Sequence, residues 1–302
     1  MEESLLEIYL NKLEYSNKPE FLNKYLNVPC LKRLKKICYF CGMDYASKHI
    51  YNFKEKITRY DHSLTVALLT WKCTRDKKAT LAGLFHDIAT PCFSHVIDYM
   101  NKDYANQEST EENTEKILKN DTYLRKCLKE DDIEIEDIID FKQYNIVDNN
   151  RPKVCADRLD GVILTGIAWT KNVDYEVIDN IINDIEIYDN EIGFKTKSVA
   201  NKVLEISESI DRYCHSNEDN YMMELLAAIT KYGIDNKYIT YEDLYVLNEE
   251  DLIYRLKSVN DSKLLEYFDK FENITLDEIP SICLPNIKIR SLNPLVQGKR
   301  IK

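Results

Sequence analysis

Five histidines are spread over this 302-residue chain, and three of them, His62, His86 and His95, fall in one short window. Asp87 follows His86 directly, and Asp157 and Asp160 stand three apart in a later apolar stretch. Two imidazoles with two carboxylates form a mixed nitrogen and oxygen donor set, of the kind that suits Mn, Fe, Ni, Co or Zn and leaves positions for water. An ion held this way acidifies water and neutralises charge on a phosphoryl group. Spacing alone leaves a second reading open, in which His62 and His86 are hydrogen-bonded core histidines and the aspartates are helix caps.

The elements around these residues read as helices. Leu64, Ala67, Leu68 and Trp71 form a stripe at i, i+3, i+4 and i+7, and Thr65, Val66 and Leu69 fill the His62 side, so the helix is apolar on most faces and His62 points inward. Asp76 is placed to cap a second helix with the stripe Leu81, Leu84, Phe85 and Ile88. Behind His86 stand only Ala79, Ala82 and Gly83, small enough for another helix to bring His62 close. Adjacent His86 and Asp87 reach a common ion only near a helix end, which Pro91 predicts. The stretch after Pro152 is apolar on almost every face, with Pro152 suited to a first turn, so the Asp157 helix is central. Asp157 and Asp160 share a face; one can bind a metal while the other orients a ligand from behind.

The whole chain is consistent with a helical protein. Hydrophobic residues make up 44% and charged residues 31%, while Gly and Pro number only 7 each. The expected fold is all-α, with an N-terminal core over 1–172, a C-terminal helical extension over 173–302 and a short β tail. In the extension, Thr240 and Asp243 make a capping signal flanked by Ile239 and Leu244, and Asn248 with Asp251 repeats it. The tail segment Ile287-Lys-Ile-Arg290 alternates as a strand does, with the region near Arg300 as its expected partner. The formal charge of -11 disfavours a polyanion such as nucleic acid. Neither a signal peptide nor a membrane-spanning apolar run is visible, and nine cysteines fit reduced thiols, so a soluble cytoplasmic protein is expected. The lone pair Cys38 and Cys41 reads as core rather than as a metal or redox site.

At the histidines and aspartates the sequence resembles the HD-domain superfamily, whose signature is H…HD…D, and within it the deoxynucleoside triphosphate triphosphohydrolases. Three stretches carry the likeness: Val28-Pro-Cys-Leu-Lys-Arg-Leu-Lys-Lys-Ile, Thr58-Arg-Tyr-Asp-His62-Ser-Leu-Thr-Val, and Phe85-His-Asp-Ile-Ala-Thr-Pro-Cys-Phe-Ser-His95. The Asp157 helix matches more loosely, and Lys288-Ile-Arg-Ser-Leu-Asn-Pro294 near the end looks like a C-terminal segment seen in bacterial relatives. The resemblance implies an HD-domain helical bundle and one divalent ion, with Mn, Fe, Ni, Co, Mg and Zn all open. It implies His62, His86, Asp87 and Asp157 as its ligands, Asp160 behind them, and Arg59 and Arg158 on phosphate. The substrate class it implies is a nucleotide or related phosphate ester, and self-association follows by the same analogy.

The departures from that family bear on proton transfer and on sugar recognition. Thr90 and Thr110 stand where relatives have histidines, which leaves His95 or Glu111 to act as general acid or base. Gly161 and Thr165 replace sugar-contacting residues. Between Asp87 and Asp157 the only histidine is His95, whereas dinuclear branches add two there, so a mononuclear site is expected. The competing expectation is a metal-containing regulatory protein that binds a nucleotide without cleaving it.

Overall fold

The computed structural model describes residues 3–105, 113–284 and 287–301. Thr110 and Glu111 lie outside the described residues. Among the described residues the fold is helical, with one small four-stranded sheet. Its centre is formed by α1 (Leu5–Lys12), α2 (Arg59–Thr74), α3 (Lys77–Phe85), α4 (Val96–Met100) and α5 (Ala156–Ala168).

Helices α2 and α3 start where their sequence prescribes. Thr58 and Asp61 close a capping box at the head of α2, fixing the first turn that carries Arg59 and His62. Asp76 caps α3 by accepting from the backbone N–H groups of Lys78 and Ala79. Gly83 lets α3 close on α2: a Cβ there would meet Thr70 Oγ1 at 3.2 Å and Val66 Cγ1 at 3.4 Å. Ala79 and Ala82, expected to serve the same approach, pack instead in a small cluster with Phe141 and Val147. α3 ends at Phe85 with His86 as its C-cap, ahead of Pro91. Pro152 does not open α5; the helix begins at Ala156 with Cys155 as its N-cap, and Ala156 and Asp157 donate backbone bonds to Ile146 and Val147.

Beyond residue 173 the chain continues as α6 (Tyr175–Asp184), a hairpin of β1 (Ile185–Tyr188) and β2 (Glu191–Phe194), and the long helices α7 (Lys197–Cys214) and α8 (Asn217–Asp235). The helices α9 (Glu249–Ser258) and α10 (Ser262–Asn273) follow. Two expectations for the tail are corrected. Ile287–Arg290 is not a strand; the strands are β3 (Leu295–Val296) and β4 (Lys299–Arg300), with β3 parallel to β2 and antiparallel to β4. The hairpin itself was hidden in a stretch that reads as helical. Its two-residue loop, Asp189-Asn190, has φ of 48° and 62°, the left-handed pair that a type I′ turn requires.

The C-terminal part clamps the loop that follows Asp87. Arg33 donates twice to the Thr90 carbonyl, at 3.0 Å each, and once to the Leu244 carbonyl at 3.2 Å. Glu249, fully buried at the start of α9, accepts from Phe93 N at 3.0 Å and from Cys38 N at 3.1 Å. Burial pushes the Glu249 carboxyl up to about 7, against the donors that favour its charge. Because the folded chain then binds this proton more tightly than the unfolded chain, with its ordinary value of 4.5, the contribution to stability falls as pH rises from 4.5 through 7. Glu249→Gln removes the titration and turns an amide N–H₂ toward a backbone donor. Urea denaturation should show the variant less stable by roughly 2 kcal/mol at pH 5, with the gap narrowing by pH 8. A gap that is constant or widens with pH contradicts this assignment.

Candidate metal centre and its cavity

Side chains from α2, α3 and α5 meet at one point. His62 Nε2 lies 3.3 Å from His86 Nε2 and 3.1 Å from Asp157 Oδ1, which is itself 3.5 Å from His86 Nε2. Asp87 completes the group, with Oδ2 at 3.8 Å from His62 Nε2 and Oδ1 at 3.8 Å from His86 Nε2. The structure therefore brings together all four residues that the sequence put forward as ligands. Both imidazoles are buried.

The far side of each ring is occupied, and this sets which nitrogen faces the cluster. His62 Nδ1 is 2.7 Å from Asp160 Oδ2, and His86 Nδ1 is 2.7 Å from the Gly83 carbonyl. With Nδ1–H donating in each ring, both Nε2 atoms turn a lone pair inward. Asp160 is fully buried and accepts a second bond from Tyr9 on α1, at 2.7 Å. Tyr9 escaped sequence reading because nothing local ties it to a carboxylate 151 positions away.

Four acceptors at these separations repel one another unless a positive charge lies among them. In the chain by itself a proton supplies it: burial lowers the His62 pKa, but Asp157, Asp160 and Asp87 outweigh burial and hold it up at about 10. Burial likewise opposes charge on Asp87, yet His86, Arg59 and His62 pull its carboxyl down to about 2. Asp157 is held well below the usual carboxylate range by His62 and His86 despite its burial. Two neutral imidazole nitrogens and two ionised carboxylates form a donor set that fits one divalent ion of the mixed nitrogen and oxygen type. Asp148, Cys155 and Asp157 also bring ligand atoms within 4.8 Å of one another. There the chain provides its own cation, because Arg158 Nη1 sits 3.0 Å from Asp148 Oδ1.

The cluster opens into a cavity of about 360 Å³, the size range of small-molecule sites. Arg59 is buried in its wall, stacked over the Tyr39 ring at 5.0 Å, with Nη1 2.8 Å from Asp87 Oδ2 and Nε donating to Ser94. Arg158 lines the same cavity, but its nitrogens are committed to the 148–153 loop, bonding Asp148, Asn149 and the Lys153 carbonyl. In this structure it braces the loop. His95 lines the cavity with Nδ1 2.9 Å from the buried Asp98. Burial, the largest effect, lowers its pKa, so near neutral pH it is an oriented, uncharged imidazole.

Arg151, Lys288 and Arg290 complete the wall and were not singled out as site residues by sequence. The last two belong to the tail segment that resembles bacterial relatives, so that likeness was a signal for them. Burial, followed by Arg290 and Arg151, lowers the Lys288 pKa, and burial with Arg158 and Arg290 lowers that of Arg151. Arg290 differs from them: burial opposes its charge, but Cys214, Tyr99 and Asp219 raise its pKa.

Residues 59–162 match the family model "HD domain". Within that stretch, the His and Asp cluster fits metal binding. A curated relative, "Uncharacterized protein YdhJ" of Bacillus subtilis (strain 168), is 31% identical over 110 residues, which is 36% of this chain and 33% of the relative. The match thus spans about a third of YdhJ's length. A crystal structure of a hypothetical protein from Aquifex aeolicus superposes with a TM-score of 0.59 at 18% identity, over 84% of this chain and 71% of that one. At that identity the likeness is one of fold. Among the described residues no helix is long and apolar enough to cross a membrane.

Proposed function

We propose that this chain hydrolyses a phosphate ester or anhydride, with a nucleotide as its substrate, using one divalent ion held by His62, His86, Asp87 and Asp157. The observation that carries this reading is that one cavity is lined both by that donor set and by the cations Arg59, Arg151, Lys288 and Arg290. A chain with net charge -11 that gathers cations on the wall of a cavity beside a carboxylate and imidazole cluster is arranged for a polyanionic ligand of small size.

When bound, the ion supplies a Lewis acid that acidifies water and offsets phosphoryl charge. The chain's own residues supply the rest. Arg59 holds Asp87 in place and turns its guanidinium edge to the cavity, where it grips phosphate oxygens. Arg151, Lys288 and Arg290 add positive charge to the same wall. Arg158, whose role on phosphate the family resemblance implies, contributes its charge to this wall while fixing the loop. His95 is aimed by Asp98 and handles the proton at Nε2. Glu111 stays a candidate for the same task.

The test is release of phosphate, pyrophosphate and triphosphate from a panel of nucleotides and simple phosphate esters, with Mn, Mg, Co, Ni and Fe(II). Turnover of at least one nucleotide is expected, with the released product naming the bond cleaved. Silence across the panel while a nucleotide still binds would replace hydrolysis by the regulatory, binding-only reading.

A further inference from the structure

The cavity holds a carboxylate that the metal cluster does not use. Asp219 is 9% exposed and lines the cavity beside Tyr51, whose hydroxyl donates to Oδ1 at 2.6 Å. It sits at the third position of α8, behind the N-cap Ser216, where an acid ordinarily folds back to close a capping box. Here no box forms, and the carboxylate turns to Tyr51 and the cavity instead. A carboxylate can accept about four hydrogen bonds. Asp219 accepts one side-chain hydrogen bond, from Tyr51, and feels the charge of Arg290 on the same cavity wall, so its carboxylate retains acceptor capacity toward the cavity.

The walls beside it are aromatic. Tyr51 and Trp169 lie with ring centroids 5.9 Å apart, and Phe53 meets Trp169 edge-on at 6.1 Å. Phe53 is held from behind by stacking on Phe40 at 4.3 Å. Flat apolar walls select a planar ring, and an acceptor beside them selects a ring that carries a donor.

We propose that Asp219 is a specificity determinant which accepts a hydrogen bond from an exocyclic amino group on the planar ring of the ligand. This rests on the reading that the cavity takes a nucleotide. A ring with a carbonyl oxygen at the same place sets acceptor against acceptor and is rejected.

Only Trp71 and Trp169 are tryptophans, so in a Trp71→Phe background the fluorescence of Trp169 reports ring binding directly. Two pairs that exchange an amino group for a carbonyl, CTP with UTP and ATP with ITP, are titrated in chelating buffer so that turnover does not intervene. The amino member of each pair should bind about ten-fold or more tightly. Asp219→Asn, whose amide both donates and accepts, should remove that preference. Tyr51→Phe, which frees the carboxylate oxygen, should keep it and thereby control for folding of this region. Equal affinities within both pairs, or a preference that survives in Asp219→Asn, overturn the proposal. Phosphate release from CTP with Mn, measured in parallel, separates the two readings: quenching without release overturns hydrolysis alone, and release without a base preference overturns the Asp219 assignment alone.

Discussion

Asp157→Ala should fold, fail to retain a divalent ion through desalting, and lose turnover by on the order of a thousand-fold. Asp157 is the acceptor closest to both inward-facing nitrogens, at 3.1 and 3.5 Å, and its removal leaves His62 and His86 facing each other across 3.3 Å with one fewer negative charge. Folding should survive because the side chain is one-third exposed toward the cavity and α5 is anchored elsewhere, through Asp160 and an apolar face. Circular dichroism confirms the fold, elemental analysis counts the metal, and product release gives the rate. Retention of one equivalent of metal with undiminished turnover would remove Asp157 from the site.

How much of this could be read beforehand varies with distance along the chain. Capping signals are local, and so Thr240 with Asp243 and Asn248 with Asp251 form the bonds their spacing announces. The stripes of α2 and α3 are local too, and they put His62 and His86 on buried faces. The all-α class followed from that periodicity. The hairpin at 185–194 was lost because its apolar residues also continue a helical spacing, and only the turn pair Asp189-Asn190 distinguishes the two.

The site divides in the same way. His86 and Asp87 were legible as a short-range pattern at a helix end, while their grouping with His62 and Asp157 was what the family resemblance implied. Tyr9, Arg151, Asp219 and the clamp made by Arg33 and Glu249 were not legible, since each acts through a partner remote in sequence. Arg158 shows the converse. Its position matches a phosphate-binding residue of relatives, but Asp148, Asn149 and the Lys153 carbonyl on the 148–153 loop take up its nitrogens.

Metal removal carries the other large effect. Each imidazole proposed to bind the ion is held by a partner on its other nitrogen, Asp160 for His62 and the Gly83 carbonyl for His86, so the rings should stay aimed when the ion leaves. The stripped protein should therefore remain folded and regain activity on re-addition without refolding. Nor should the proton that His62 holds in the chain alone block the ion, because metal binding displaces it.

The decisive measurement is a titration of Mn(II) into chelator-stripped protein, following bound metal and product release together. Binding should saturate at one equivalent per chain, with turnover rising in step from below about a hundredth of its final value. Full turnover in the stripped protein, or saturation of metal with no turnover of any phosphate substrate, would contradict a hydrolase built on His62, His86, Asp87 and Asp157.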